Sequence, residues 1–144
     1  MASDAAVISF VLGGARFNGG SLLDIARWVE NGLPLDSLDR VMRLVAPDDA
    51  KFVAAIIPKA ALTRRRDLRN GSLSVEEGDK VYRLAKVWAM AVRVWGDEAD
   101  GLEFLRRPHP MLNSRPPRRV AVGSAAGADA VINVIGRGAY GGTA

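Results

Sequence analysis

The sequence predicts an all-α fold: a compact helical protein with a degenerate helix-turn-helix in its N-terminal part and a second helical region in its C-terminal part. Apolar residues recur at helical spacing, and glycine and proline interrupt the chain at short, regular intervals. The composition, with 49% hydrophobic and 25% charged residues, is that of an ordinary globular protein. A chain of 144 residues is long enough to bury a core without disulfides or a structural metal.

Missing residue types exclude several classes of protein. The chain has no cysteine and a single histidine, His109. A disulfide scaffold, thiol catalysis, cysteine-based zinc or iron–sulfur sites and a histidine-pair metal site are therefore excluded. We predict no catalytic residue, no metal and no cofactor, and hence a protein that is not an enzyme.

The first apolar run, residues 5–12, is too short to cross a membrane, which takes about 20 residues. Asp4 precedes this run, where a signal peptide would carry basic charge. The sequence therefore predicts a cytoplasmic protein. It leaves open whether the run is a strand or a helix.

Two amphipathic helices are expected next. Ser21 is placed to cap a helix that ends near Asn31. The apolar stripe of that helix consists of Leu22, Ile25, Ala26 and Val29. A second stripe with the spacing i, i+3, i+4, i+7 follows at Leu38, Val41, Met42 and Val45.

Residues 36–70 have the pattern of three short helices, of which the last two are predicted at 48–56 and 59–68. The break at Ile57-Pro58 suits a helix-turn-helix, whose last helix enters the major groove of DNA. Arginine neutralises phosphates and donates two parallel hydrogen bonds to a guanine edge. The predicted DNA-binding residues are Lys59, Thr63, Arg64, Arg65, Arg66 and Arg69. The alternative is a solvated basic helix face, and the turn lacks the usual glycine.

The strongest helix signal covers residues 75–95. Ser74 and Glu77 fit a capping box, in which each side chain accepts a hydrogen bond from the other residue's backbone N–H. Gly96 fits the left-handed residue that ends many helices. The apolar stripe is broad enough for a central helix packed on several sides. Trp28, Trp88 and Trp95 lie at helical spacing with other apolar residues, so we expect all three to pack in the core.

Basic charge is concentrated in two islands. The net charge is +4, but residues 59–70 hold five bases and one acid, and residues 106–144 hold six bases and one acid. The other segments are net acidic. Such islands are either solvated surface or contact sites for DNA or an acidic partner surface.

Two further patterns do not support enzymatic chemistry. Residues 136–141 read GRGAYG and match G-x-G-x-x-G, but only three residues follow, which leaves no room for the helix and acidic residue of a dinucleotide-binding fold. His109 stands between two prolines, where a turn residue is the simplest interpretation.

A family resemblance is carried by four segments in order. Residues 73–87, LSVEEGDKVYRLAKV, resemble the signature LSxEExDRxxRLARV of the Xre/MbcA/ParS antitoxins. The resemblance continues in VWGD at 94–97, FLRRPHP at 104–110 and GRGAYG at 136–141. It covers about residues 33–144, and the segment 57–66 is similar to the degenerate helix-turn-helix of the family.

This resemblance implies an antitoxin of a type II toxin–antitoxin system. The implied partner is a RES-domain toxin, encoded beside the antitoxin, that consumes NAD or transfers ADP-ribose from it. The family antitoxin is helical, tends to form a homodimer and covers the NAD pocket of the toxin with its C-terminal region. Many members also bind operator DNA and repress their own operon. The implied parts are a helix-turn-helix region at 1–72, with its first 20 or so residues unassigned, and a toxin-binding domain at 73–144.

The toxin-binding residues implied by the resemblance are Arg106, Arg107, Pro108, His109, Asn133, Gly136, Arg137, Tyr140 and Gly141. The tail 136–144 contains four glycines, and we expect that it cannot hold a long helix by itself. Its candidate anchors in the toxin pocket are Tyr140, which can stack, and Arg137, which can meet hydrogen-bond acceptors. The alternative is that Tyr140 folds back onto the helix predicted at 75–95.

The chain departs from the family pattern within 111–139. The family often has a Gly-Gly turn after its Pro-x-Leu element, whereas residues 111–120 read MLNSRPPRRV here. Ala139 replaces the acid that precedes the terminal Tyr-Gly. The alternative function is a stand-alone helix-turn-helix repressor without a toxin partner.

Overall fold

The computed structural model describes residues 4–17 and 19–141, and it confirms the predicted all-α class. Eight α-helices and three short 3-10 helices form within these ranges, which contain no β-strand. The α-helices are α1 (Asp4–Gly13), α2 (Leu22–Asn31), α3 (Leu35–Val45), α4 (Lys59–Arg66), α5 (Val75–Trp95), α6 (Glu98–Arg106), α7 (Pro117–Gly123) and α8 (Ala125–Gly141). No helix in the described ranges is both long and apolar enough to cross a lipid bilayer.

The N-terminal apolar run forms a helix, α1, rather than a strand. Ile8 and Leu12 are buried in the core. The guanidinium group of Arg40, on α3, donates hydrogen bonds to the carbonyl oxygens of Val11 (3.1 Å) and Phe10 (3.0 Å). Because the last carbonyls of a helix have no partner within it, Arg40 stabilises the end of α1.

Helix α2 begins at its predicted cap. The Ser21 hydroxyl accepts a hydrogen bond from the Asp24 backbone N–H at 3.1 Å, and the Asp24 carboxylate accepts one from the Ser21 N–H at 3.0 Å. Ile25 and Val29 are buried as expected. Leu22, at the start of the same stripe, is 61% exposed. The apolar face of α2 therefore extends beyond the core.

The prediction of a helix at 48–56 is wrong, because only a 3-10 turn forms there, at Phe52–Ala55. The Asp48 carboxylate accepts two hydrogen bonds from Arg118, at 2.7 and 3.0 Å. The Asp49 carboxylate accepts one from the Lys51 backbone N–H at 3.0 Å. Aspartate side chains that bond locally to the backbone compete with helix formation.

Helix α5 is the predicted central helix. Both hydrogen bonds of the Ser74–Glu77 capping box form, and the helix ends at Gly96 with φ 90°. Five other helices besides α2 pack on it: α1, α3, α6, α7 and α8. At the buried Gly78 a Cβ would be in ordinary van der Waals contact, at 3.5 Å, with side-chain atoms of Val29 and Leu33, so this part of the helix faces α2 and the residues after it.

The buried residues form one cluster that draws on both predicted parts of the chain. Arg118, which is 6% exposed, donates a hydrogen bond to the Val45 carbonyl at 2.9 Å besides its pair with Asp48. Arg83 on α5 donates to the carbonyls of Ala121 (3.1 Å) and Val122 (2.8 Å) near the end of α7. The division into a helix-turn-helix region at 1–72 and a toxin-binding domain at 73–144 stays a prediction.

Replacing Trp88 by alanine is expected to lower the free energy of unfolding by about 3–5 kcal/mol, because truncating a buried tryptophan removes apolar burial and leaves a cavity. Trp88 is 7% exposed on α5. Urea denaturation of the purified variant measures the loss. Trp95→Ala is a matched control, since Trp95 is only half-buried on the same helix and its truncation should cost less. An unfolding free energy equal to the wild type's in Trp88→Ala would contradict the core role.

Candidate functional site

An aromatic cluster joins the two segments that the family resemblance assigns to toxin binding. The rings of Trp95 and Phe104 are stacked with centroids 4.5 Å apart, and His109 meets Phe104 edge-on at 6.0 Å. On the other side, α8 passes the Trp95 ring at Gly138, where a Cβ would lie 3.5 Å from a ring atom. Residues 106–109 and the end of α8 therefore border the same cluster.

The glycine-rich end of the chain is helical as far as Gly141. We expected that this tail cannot hold a long helix by itself, and in the structure it is not a separate helix but the end of α8. Residues 136–141 continue a helix that begins at Ala125, so they add turns without the unfavourable nucleation step. Buried side chains earlier in α8 anchor it to the core: Ala128, Val131, Val134 and Ile135.

The predicted toxin-binding positions of α8 share one side of the helix. Positions 133, 136, 137, 140 and 141 follow the spacing i, i+3, i+4, i+7, i+8. This side is opposite the buried one. Asn133 and Arg137 are exposed, and Arg137 forms no ion pair with any residue in the described ranges. The side chain of Tyr140 lies outside the described part of the structure.

The other predicted segment lies at the end of α6. Arg106 and Arg107 form a group there with the Glu103 carboxylate, which we call the cationic triad because its net charge is positive. Arg106 donates a hydrogen bond to the Glu103 carboxylate at 2.8 Å, and Arg107 pairs with the same carboxylate. Desolvation opposes ionisation of Glu103, but the hydrogen bonds from Arg107 and Arg106 outweigh it and lower the pKa of Glu103. Two arginines and one carboxylate leave one net positive charge beside the exposed Pro108.

His109 acts as a turn residue, as its position between two prolines indicates. Its ring Nδ1 accepts a hydrogen bond from the Met111 backbone N–H at 3.1 Å, and the His109 backbone N–H donates one to the Arg115 carbonyl at 3.1 Å. Asn113 and Ser114 have φ of 55° and 59°, in the left-handed region that favours glycine. The turn thus keeps a conformation suited to the Gly-Gly of the family although both glycines are absent.

Two of the predicted DNA-binding arginines of α4 are held by partners within the chain. Arg65 pairs with Glu77 and donates to the Ser72 carbonyl at 3.1 Å. Arg66 donates two hydrogen bonds to the Asp39 carboxylate, at 2.8 and 3.1 Å. These two ion pairs link α4 to α5 and to α3.

The remaining predicted DNA-binding residues are more available. Lys59, Arg64 and Arg69 are exposed and form no ion pair within the described ranges. Thr63 is also exposed, and its hydroxyl donates to the Lys59 carbonyl at 3.0 Å. The structure therefore brings three cations, rather than five, to the surface without an anionic partner.

Sequence reasoning missed the contact between Phe52 and the arginine pair of α7. The guanidinium carbon of Arg119 lies 4.8 Å from the centroid of the Phe52 ring, and that of Arg118 lies 5.4 Å away. Arg119 also pairs with Asp49 at 3.6 Å. A pair of neighbouring acids at 48–49 and a pair of neighbouring arginines were visible in the sequence. Nothing local indicated that they meet across the fold.

Comparison with protein families supports the resemblance over the C-terminal region. Residues 90–141 match the model of the antitoxin Xre/MbcA/ParS C-terminal toxin-binding domain. This range contains the aromatic cluster, the cationic triad and the exposed side of α8. It also contains all nine predicted toxin-binding residues. No match to the chain was found among curated proteins.

Glu77→Gln is expected to lower the melting temperature at pH 7 by about 2–4 °C, the effect of roughly 1 kcal/mol in a chain of this size. Burial opposes ionisation of Glu77, but hydrogen bonds from Arg65 and Ser74 together outweigh it and lower the pKa of Glu77. Glutamine preserves the capping box and removes the charge.

A lowered pKa in the folded state stabilises the protein above the ordinary value of 4.5, and this stabilisation is lost as the pH falls below it. The difference in melting temperature between wild type and Glu77→Gln should therefore shrink from pH 7 to pH 3. Glu76→Gln is the control, because Glu76 is exposed and has no ion-pair partner in the described ranges. A difference that stays constant with pH would contradict the electrostatic role of Glu77.

Proposed function

We propose that the protein is an antitoxin similar to the Xre/MbcA/ParS antitoxins and that it neutralises a RES-domain toxin that consumes NAD or transfers ADP-ribose from it. The match of residues 90–141 to the toxin-binding domain is the observation that carries this proposal. The antitoxin acts in the cytoplasm as a homodimer and performs no chemistry of its own.

The exposed side of α8 is the part that enters the toxin cleft in this mechanism. Arg137 forms no competing ion pair with the residues that the structure describes, so its guanidinium is available to acceptors that would otherwise bind a dinucleotide. Tyr140 supplies an aromatic ring for stacking, and the glycines at 136 and 141 let the helix backbone approach closely. An occupied pocket excludes NAD without any conformational change in the toxin.

Residues 106–109 form the adjoining contact. The cationic triad and Pro108 border the same aromatic cluster as α8, so a toxin that receives the helix also meets this edge. Charges at the edge of an interface mainly raise the rate of association and fix orientation. The two segments therefore have different roles: α8 blocks the pocket of the toxin, and the cationic triad directs the docking.

Removing residues 140–144 is expected to separate toxin binding from toxin inhibition. Ile135 is the last buried residue described, so the truncated chain should keep its fold. Co-expressed with the RES-domain protein encoded beside it, the truncated antitoxin should co-purify with the toxin but fail to restore growth. Removing only residues 142–144 is the matched control and should restore growth fully.

Each possible failure of this experiment has a separate meaning. Full rescue by the chain lacking 140–144, with NAD consumption still suppressed, would contradict the pocket-filling role of the tail. Failure of the full-length chain to co-purify with the toxin would contradict the proposed partner itself.

A second function, repression of its own operon, is favoured by three cations of the α4 region that have no ion-pair partner among the residues described. We propose that Lys59, Arg64 and Arg69 contact DNA phosphates, whereas Arg65 and Arg66 hold α4 in place. A protein that bound promoter DNA but no toxin would instead be the stand-alone repressor.

The double variant Arg64→Ala/Arg69→Ala is expected to bind promoter DNA more weakly and with a shallower salt dependence. Each phosphate contact contributes about −0.9 to the slope of log K against log salt, so losing two should reduce its magnitude by about 1.8. Gel-shift titrations at several salt concentrations measure this. Arg43→Ala is the control, because Arg43 is an exposed arginine on α3 outside the basic island. An unchanged slope in the double variant would exclude α4 from DNA contact.

A further inference from the structure

An apolar groove lies between α2 and the first turns of α5, outside the region that matches the toxin-binding domain. Its volume is about 580 Å³. Ile25 and Val29 form its buried floor. Leu22 and Val75 stand at its edges, 61% and 52% exposed. Apolar side chains that remain exposed above an apolar floor form a continuous patch, and such patches mark interaction sites.

Both walls of the groove are helices with capped N-termini. Leu22 and Val75 are the first residues of α2 and α5, and each follows a serine whose capping box is complete. The buried Gly78 of α5 faces Val29 of α2, and a Cβ added there would be in ordinary van der Waals contact with it at 3.5 Å, so the two walls lie beside each other at this point. A guest therefore meets a preformed surface and does not need to order it.

The charge beside the groove is opposite in sign to that of the whole chain. Glu30 and Glu76 line it, and neither carboxylate forms an ion pair with any residue in the described ranges. Asp79 also lines it and pairs with Arg83, but its side chain remains 50% exposed. In a chain of net charge +4, these acids make the groove edge a local anionic surface.

We propose that this groove docks a basic amphipathic helix of a partner protein. An apolar stripe at i, i+3, i+4 and i+7 would fill the space above Ile25 and Val29, and flanking lysines or arginines would meet Glu30 and Glu76. Helix α2 has ten residues and is about 15 Å long, which matches roughly three turns of a guest helix. The site is separate from residues 90–141, so it adds a second protein contact to the proposed antitoxin.

A pair of synthetic peptides tests the chemistry of the guest. The first carries leucine at i, i+3, i+4 and i+7 and lysine elsewhere; the second replaces every lysine by glutamate. Fluorescence anisotropy of the labelled peptides with the full-length protein should show binding of the lysine peptide and none of the glutamate peptide. Equal binding of both peptides, or no binding of the lysine peptide, overturns the proposal.

Two pairs of variants locate the binding. Leu22→Ser should weaken the lysine peptide about tenfold, whereas Leu23→Ser should not, because the neighbouring Leu23 is 72% exposed and does not line the groove. Glu76→Lys should weaken it by a similar factor, and Glu98→Lys should not, although Glu98 occupies the first turn of α6 as Glu76 does that of α5. Circular dichroism melting checks that all four variants are folded.

Two results from these variants would overturn the proposal. One is equal affinity of the lysine peptide for the groove variants and their controls. The other is self-association of the wild-type protein in sedimentation that Leu22→Ser abolishes, because the groove would then belong to a second copy of this chain.

Discussion

The burial of α5 on most of its circumference is the constraint on which the rest of the molecule depends. Six helices pack on it, and its capping box and C-terminal glycine fix where it begins and ends. Its 21 residues span about 31 Å. The acidic groove lies at its first turns and the Trp95 aromatic cluster at its last residue, so one rigid helix keeps the two surfaces apart.

The parts of the fold that local sequence determines were predictable. Ser21 and the Ser74–Glu77 pair specify helix starts through hydrogen bonds within four residues, and Gly96 specifies an end. The segment 48–56 was not predictable in this way, because the side chain of Asp48 bonds to an arginine 70 positions away. Apolar periodicity likewise placed Leu22 on the apolar stripe of α2, but it could not predict that Leu22 remains exposed outside the core.

The candidate site was likewise predictable from the sequence only in part. The family resemblance supplied its residues, and the helical spacing of positions 133–141 became visible only once that segment proved to continue α8. The two predicted segments are joined by contacts of His109 with Phe104, of Phe104 with Trp95, and of Trp95 with α8 at Gly138. These tertiary contacts could not be predicted from local sequence. In α4 every arginine was an equally good candidate for DNA contact by sequence alone, whereas the carboxylates of Asp39 and Glu77, distant in sequence, bind two of them.

The helical end of α8 has an energetic consequence for recognition. Gly136 and Gly138 each cost a helix about 1 kcal/mol relative to alanine, and no described residue after Ile135 is buried to offset that cost. The last turns of α8 are therefore close to the balance between helix and coil. A segment in this state gives up affinity when it is ordered, since it loses backbone entropy at that moment. In return its backbone can adjust to the surface of a partner, which a stiff helix does not do.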